Sequence, residues 1–218
     1  MSKVAILKLF LLAGLTLTAC SIGNVGGIKG SETLKSETRK VSGFKKIKAG
    51  GAVKLEIVVQ KDFSVSVEAD DNLLPVILTE VEGDTLKIST KEKISTNNIT
   101  VKITMPELVD LDISAANAAT VSAVKTEYLK INANGASIVK ISGEVKNLDV
   151  NANGASGIDA ENLKTENAVV EASGASSVTV APTNELNAKA SGASSITYIG
   201  EPKNIKQNAS DVSSIKKK

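Results

Sequence analysis

Apolar and polar residues alternate through most of this chain. Val53-Lys54-Leu55-Glu56-Ile57, Val65-Ser66-Val67-Glu68 and Ile99-Thr100-Val101-Lys102-Ile103 have the period of two expected of strands with one face buried. Glu82-Gly83-Asp84 divides residues 76–81 from 85–89, which predicts a hairpin. Pro106 ends the strand before it, and Pro75 limits residues 71–78 to a short helical turn. No segment carries the 3.6-residue period of an amphipathic helix. Two stretches break the alternation: residues 9–17 are continuously apolar, and residues 21–40 are polar and aperiodic.

From residue 111 the alternation becomes a repeat. Gly-Ala-Ser occurs at 135–137, 154–156, 174–176 and 192–194, inside a wider pattern Leu-x-Ile-x-Ala-Asn-Gly-Ala-Ser-x-Val. Six copies align at spacings of 18 to 20 residues, with Asn117, Gly135, Gly154, Gly174, Gly192 and Asp211 in the glycine column. Alanine stands two places earlier in each copy, from Ala115 to Ala209, and Val121, Val139, Ile158, Val178, Ile196 and Ile215 stand four places later. Apolar residues at −6, −4 and −2 point one way on a strand, as do those at +4 and +6 on the next. The turn lies between them. Its glycine column implies φ > 0, since Asn and Asp are the side chains that best tolerate a left-handed backbone. The alanine column implies a tight interior corner.

A repeat of this size cannot bury its own apolar face, and stacking copies solves that problem. The expected fold is all-β: a parallel β-helix-like solenoid of about six rungs over residues 111–218, preceded by a β-rich part at 41–110. An antiparallel meander of hairpins is the rival arrangement, and Ser142-Gly143-Glu144 would suit it.

The start of the chain reads differently. Lysines at Lys3 and Lys8, the apolar run at 9–17 and Leu17-Thr18-Ala19-Cys20 have the order of a secretory leader ending in a lipobox. The run is too short for a spanning helix, which needs roughly 20 residues. Resemblance to bacterial lipoproteins implies cleavage after Ala19 and lipid on Cys20. Residues 1–19 are then the leader and 20–40 a lipidated flexible tether. Cys20 is the only cysteine, so an internal disulfide is excluded.

Composition narrows the chemistry. With the two leader lysines removed, basic and acidic side chains number 24 each. That balance and 2% aromatic content give no support to nucleic-acid binding. Histidine is absent, which removes the commonest general base and the usual zinc ligand.

Residues 41–215 resemble the bacterial family described as putative auto-transporter adhesin, head GIN domain. The resemblance rests on Val-Ser-Gly-Phe-x-x-Ile at 41–47, Gly-Asp-x-Leu-x-Ile at 83–88, Val-x-Ile-x-Met-Pro-x-Leu at 101–108 and the Asn-Gly-Ala-Ser repeats. It implies a β-helical fold and an envelope location. No catalytic residues come with it.

The candidate chemistry is sparse. The columns Asn134, Asn153, Ser173, Ser191, Ser210 and Ser137, Ser156, Ser176, Ser194, Ser213 read either as ligand-facing ladders or as turn-stabilising stacks. Asp149 with Asp159, or Glu161 with Glu166, are the carboxylate pairs a glycosidase would need. Asp62, Asp70 and Asp71 match no calcium loop. Lys216-Lys217-Lys218 would blunt an open end of the stack. The expected function is a non-enzymatic, adhesin-like envelope lipoprotein, without cofactor or metal. It is anchored to the membrane through Cys20 and binds a glycan or an envelope protein. With Ser21 after the cysteine and no acidic run, the outer membrane facing the periplasm, or the surface, is the expected place. A carbohydrate-active enzyme and a self-associating structural protein are the alternatives.

Overall fold

The computed structural model describes residues 26–59, 62–95 and 98–218. The leader and Cys20 lie outside the described residues. In chain order the strands are β1 (Leu34–Arg39), β2 (Lys46–Ala49), β3 (Lys54–Val59) and β4 (Ser64–Asp70), then a single 3₁₀ turn at Leu74–Val76. There follow β5 (Ile77–Glu82), β6 (Thr85–Thr90), β7 (Thr100–Met105), β8 (Asp110–Ile113), β9 (Ala118–Ala133), β10 (Ile138–Ala152), β11 (Gly157–Ala172), β12 (Ser177–Ala190), β13 (Ser195–Tyr198), β14 (Asn204–Ala209) and β15 (Ser214–Lys217). The β5–β6 hairpin turns at Gly83, and Pro75 holds the helical element to one turn.

Neighbouring strands of the repeat pair in parallel, residue over equivalent residue: Val139 lies beside Ile158, and Ile158 beside Val178. This is the solenoid, of about five turns, and the hairpin meander is excluded. Each long strand from β9 to β12 runs along one wall, bends through a register shift and continues along another. The wall before the glycine turn runs β5-β6-β2-β8 and then through the second halves of β9 to β12 to β14. The wall after it runs β1-β4-β7-β3 and then through the first halves of β9 to β12 to β13 and β15. Inward columns are buried up to the last rung: Leu129, Ile131, Val150, Val170, Leu186 and Ala188 are 0% exposed, whereas Ile205 in β14 is exposed.

One expectation is corrected here. Residues 20–40 are not all tether. Ile28 bridges to Ile94, and β1 adds antiparallel to β4, because Lys35-Ser36-Glu37-Thr38 can offer its backbone to an open edge whatever its polarity. Residues 41–110 form the expected β-rich part, which continues directly into the stack. β2 and β3 form a rung of their own, with Ala49 beside Ile113 and Leu55 beside Ala119. That rung, first in sequence, sits between the β6–β7 rung and the β8–β9 rung.

The far end is closed differently. Inward positions held by Val170 and Ala188 are continued by Gln207, and those held by Val180 and Tyr198 by Lys217. Polar groups in core columns discourage another strand from adding there. Lys217 pairs with Glu201, and Lys218 Nζ lies 2.9 Å from both carboxylate oxygens of Glu161. The full chain in detergent should therefore remain single along its axis. Gln207→Val with Lys217→Val should produce concentration-dependent oligomers in analytical ultracentrifugation. A double variant sedimenting like its parent would remove these two residues as the stop.

Candidate functional site

The corner of each rung is built around one left-handed residue. φ is 75° at Gly135, 77° at Gly154, 75° at Gly174, 70° at Gly192 and 59° at Asp211. In the first copy that residue is Ala115, at 70°, and not Asn117. The six-copy alignment is two residues out there. Ile113 pairs with Ala133 and Ala119 with Val139, so the alanine column holds Ile113 at this level. Asn117 is the counterpart of the serines two places past the turn.

Those serines are structural. Ser137, Ser156, Ser176 and Ser194 are at most 2% exposed. Ser194 Oγ donates to the carbonyl of Ser191 in its own turn at 2.8 Å and reaches that of Ala172 in the rung before at 3.0 Å. Ser213 and Ser176 reach Ala190 and Ala152 in the same way. Asn117 does more. Its Oδ1 accepts from Val53 N at 2.9 Å, and its Nδ2 donates to Ala49 O and Ser114 O. Apart from Ser156, whose buried Oγ has no hydrogen-bond partner among the described residues, the column fastens each corner to the previous rung, and its burial makes it unavailable to a ligand.

The column before the glycine faces outward. In its first copies it closes on itself, with Asn153 Nδ2 donating to Asn134 Oδ1 at 3.1 Å and Ser173 Oγ to Asn153 Oδ1 at 2.6 Å. Further along, the side chains of Ser191 and the neighbouring Asn208 make no hydrogen bond among the described residues. A cleft of about 370 Å³ lies there, between Asn151, Glu171, Lys189 and Asn208 on one side and Asn153, Ser173, Ser191 and Ser210 on the other. Its two charges pair with each other, Lys189 Nζ to Glu171 at 3.0 Å.

A larger trough, about 700 Å³, follows the side between the two walls. Stacking places Lys125, Glu144 and Lys164 in one column. Glu127, Lys146 and Glu166 line the same trough. Lys164 lies 3.4 Å from Glu144, and Lys146 lies 3.6 Å from Glu127. Opposite charges alternate, so the trough neutralises itself.

The proposed carboxylate pairs do not form. Asp149 lies on the wall before the turn, accepting from Tyr128 Oη and Asn151 Nδ2, whereas Asp159 lies on the wall after it, capping Glu161 N. Glu161 is tied to Lys218, and Glu166 lines the charged trough. Asp71 is held by Ser31 and Lys35, and Asp70 is buried. Among the described residues no group of three metal-ligating side chains comes together, and no helix is long and apolar enough to cross a membrane.

Hydrogen bonds and ion pairs hold Glu56, Asp71 and Asp84 below the ordinary carboxylate value, whereas one carboxyl is raised. Burial pushes Asp110 above the ordinary value, against the pull of Lys130, and its Oδ1 is buried without a hydrogen-bond partner. A carboxyl raised by folding binds its proton more tightly in the native state, so its contribution to stability falls as pH rises. Asp110→Asn should therefore raise the melting temperature at neutral pH. The gain should shrink as pH falls through the carboxylate range and vanish where both states are protonated. A lower melting temperature at neutral pH would mean that the lysines outweigh burial.

Residues 43–202 match the family described as putative auto-transporter adhesin, head GIN domain. A crystal structure of a putative adhesin from Bacteroides fragilis is similar over 88% of this chain and 100% of its own, at 20% identity and a TM-score of 0.73. A putative adhesin from Parabacteroides merdae covers 88% of this chain and 98% of its own, at 18% identity and a TM-score of 0.57. A putative lipid binding protein from Parabacteroides distasonis covers 88% and 99%, at 22% identity and 0.57. At these identities the likeness is one of fold. No curated protein matches the chain.

Proposed function

The chain belongs to the family of the putative auto-transporter adhesin, head GIN domain, and from that premise we propose that it is a lipid-anchored envelope protein whose solenoid binds another macromolecule without transforming it. One observation carries the binding reading. The wall presents a regular outward ladder of amides and hydroxyls along the cleft from Asn151 to Ser210, while Asp149 and Asp159 lie on different walls and the glutamates of the trough alternate with lysines. Lipid enters this reading as the anchor. The interior is filled by aliphatic side chains at or near zero exposure, and both clefts are polar-lined. The outer membrane, facing the periplasm or the surface, is the location proposed with it.

Cys20→Ser should release the protein from the membrane fraction. A variant that still partitions into detergent with an N-terminal mass unchanged from the parent rules out the anchor. Incubating the parent with envelope polysaccharides tests the other half. New reducing or unsaturated ends would make it an enzyme.

A further inference from the structure

We propose that the cleft between the Asn151–Glu171–Lys189–Asn208 column and the Asn153–Ser173–Ser191–Ser210 column binds a neutral, linear glycan lying along the solenoid axis; this rests on the binding reading above. Four rungs contribute, at about 4.8 Å each. The cleft therefore repeats the same pair of polar positions over roughly 14 Å. Its volume, about 370 Å³, is that of a small-molecule or oligomer subsite.

The lining selects the ligand class. Glu171 and Lys189 cancel at 3.0 Å, so a polyanion or polycation gains little. The floor offers Ala172 and Ala190, and none of the exposed large apolar side chains lines the cleft. A peptide lying on a sheet face needs apolar anchor pockets, and one adding to an edge needs unpaired backbone. The cleft offers no apolar pocket, and its strands β10 to β12 and β14 are paired to one another through it; the open edge of β14 lies at its end, where a peptide could add to one strand but not lie along the four rungs. The cleft does supply Ser191 Oγ, which can donate and accept, and the Asn208 amide, which can do both at once. The first copies of the ladder are already spent on each other, Asn153 with Asn134 and Ser173 with Asn153. At the C-terminal copies Ser191 and Asn208 keep their whole side-chain polar groups for a partner. A sugar chain offers hydroxyls of both kinds at a regular step, which is the complement of this surface.

The test uses the full-length protein in detergent against cellulose-, chitin-, starch- and mannan-derived oligosaccharides. Heparin fragments and mixed peptides serve as the other arms. At least one neutral series should bind, more tightly as it lengthens. Ser191→Ala with Asn208→Ala should weaken it about tenfold or more, since two hydrogen bonds are lost. Thr179→Ala, on the other wall, should leave it unchanged. Both altered positions are at least partly exposed, so the melting curve should not move. Neutral-glycan binding unaffected by the double variant overturns the site. Binding only of heparin or peptide, or of nothing in the panel, overturns the ligand class. Capture of a different envelope macromolecule by parent and double variant alike would sink this inference and leave the broader reading standing. Cleavage of any glycan would remove both.

Discussion

Gly154→Asn should cost about 2–4 kcal/mol, whereas Gly83→Asn should cost less than about 1 kcal/mol. Both glycines have φ > 0, at 77° and 62°, and asparagine tolerates that region better than most residues. Backbone conformation alone therefore predicts two mild losses. The surroundings differ. A Cβ on Gly83 meets nothing within 4 Å, while one on Gly154 would lie 2.7 Å from the carbonyl oxygen of Gly135 in the preceding rung. The chain shows what a side chain does in this column. Where both levels are glycine the corner hydrogen bond is 2.7 Å, as from Ala155 N to Gly135 O and from Ala175 N to Gly154 O. Where the upper level is Ala115 or Asp211 it lengthens to 3.1 Å. Those two levels adjoin the interlaced start and the free end. Gly154 has a tight rung on either side, so the opening has nowhere to go. Gly154→Val adds the penalty of a β-branched residue at φ > 0 and should be worse again. Urea denaturation of the variants decides the matter. Equal losses at 83 and 154 would show that φ is the whole reason for glycine in the column.

Ala152→Ile should lose about 1–3 kcal/mol by overpacking a site that is 0% exposed. Lys164→Leu, on a side chain 82% exposed, should stay within about 0.5 kcal/mol. Isoleucine is not foreign to the column, since Ile113 occupies it and is fully buried. That rung has Ala119 at the position where the others have Val139, Ile158, Val178 and Ile196. Large and small are exchanged across the corner, which keeps the filled volume nearly constant. Ala152→Ile combined with Ile158→Ala should therefore be more stable than the summed single losses predict, by about 1 kcal/mol or more. Strict additivity in thermal melts would mean that the two columns do not share the corner.

The solenoid was legible because its period is written in residues whose reasons are local: glycine for φ > 0 and a close neighbour, alanine for the corner, β-branched residues for the inward columns. The first copy was misread because Ser114-Ala115-Ala116-Asn117 has no glycine, and Asn117 resembles a substitute for one. Only the pairing of Ile113 with Ala133 reveals that asparagine there does the work of serine. The rung at β2–β3 was also readable. Ile47-x-Ala49-x-Gly51-Ala52-x-x-Leu55-x-Ile57 fits the alanine, glycine and nearest inward columns, and Gly51 has φ 102°. The next copy lies 64 residues on, so no fixed interval reveals it. β1 carries no signal at all, since a polar edge strand is recognised by what it pairs with. The cleft was hidden for a related reason. Asn151, Glu171, Lys189 and Asn208 share no residue type, and only stacking makes them neighbours.

The rung that is out of order divides the molecule into two kinds of inheritance. Between Asn134 and Gly200 a segment of one period can be duplicated or lost, and each new neighbour finds the same column it had before. Length on that side is free to vary, and with it the number of copies a long ligand can touch. The start has no such freedom. β2–β3 is held on one side by β6–β7 and on the other by β8–β9, which arrive later in the chain. Nothing between residues 43 and 122 can be copied or excised without breaking a pairing whose other half lies elsewhere. Relatives with longer or shorter solenoids should therefore gain or lose their length after this point, and should carry the interlaced start as one indivisible piece.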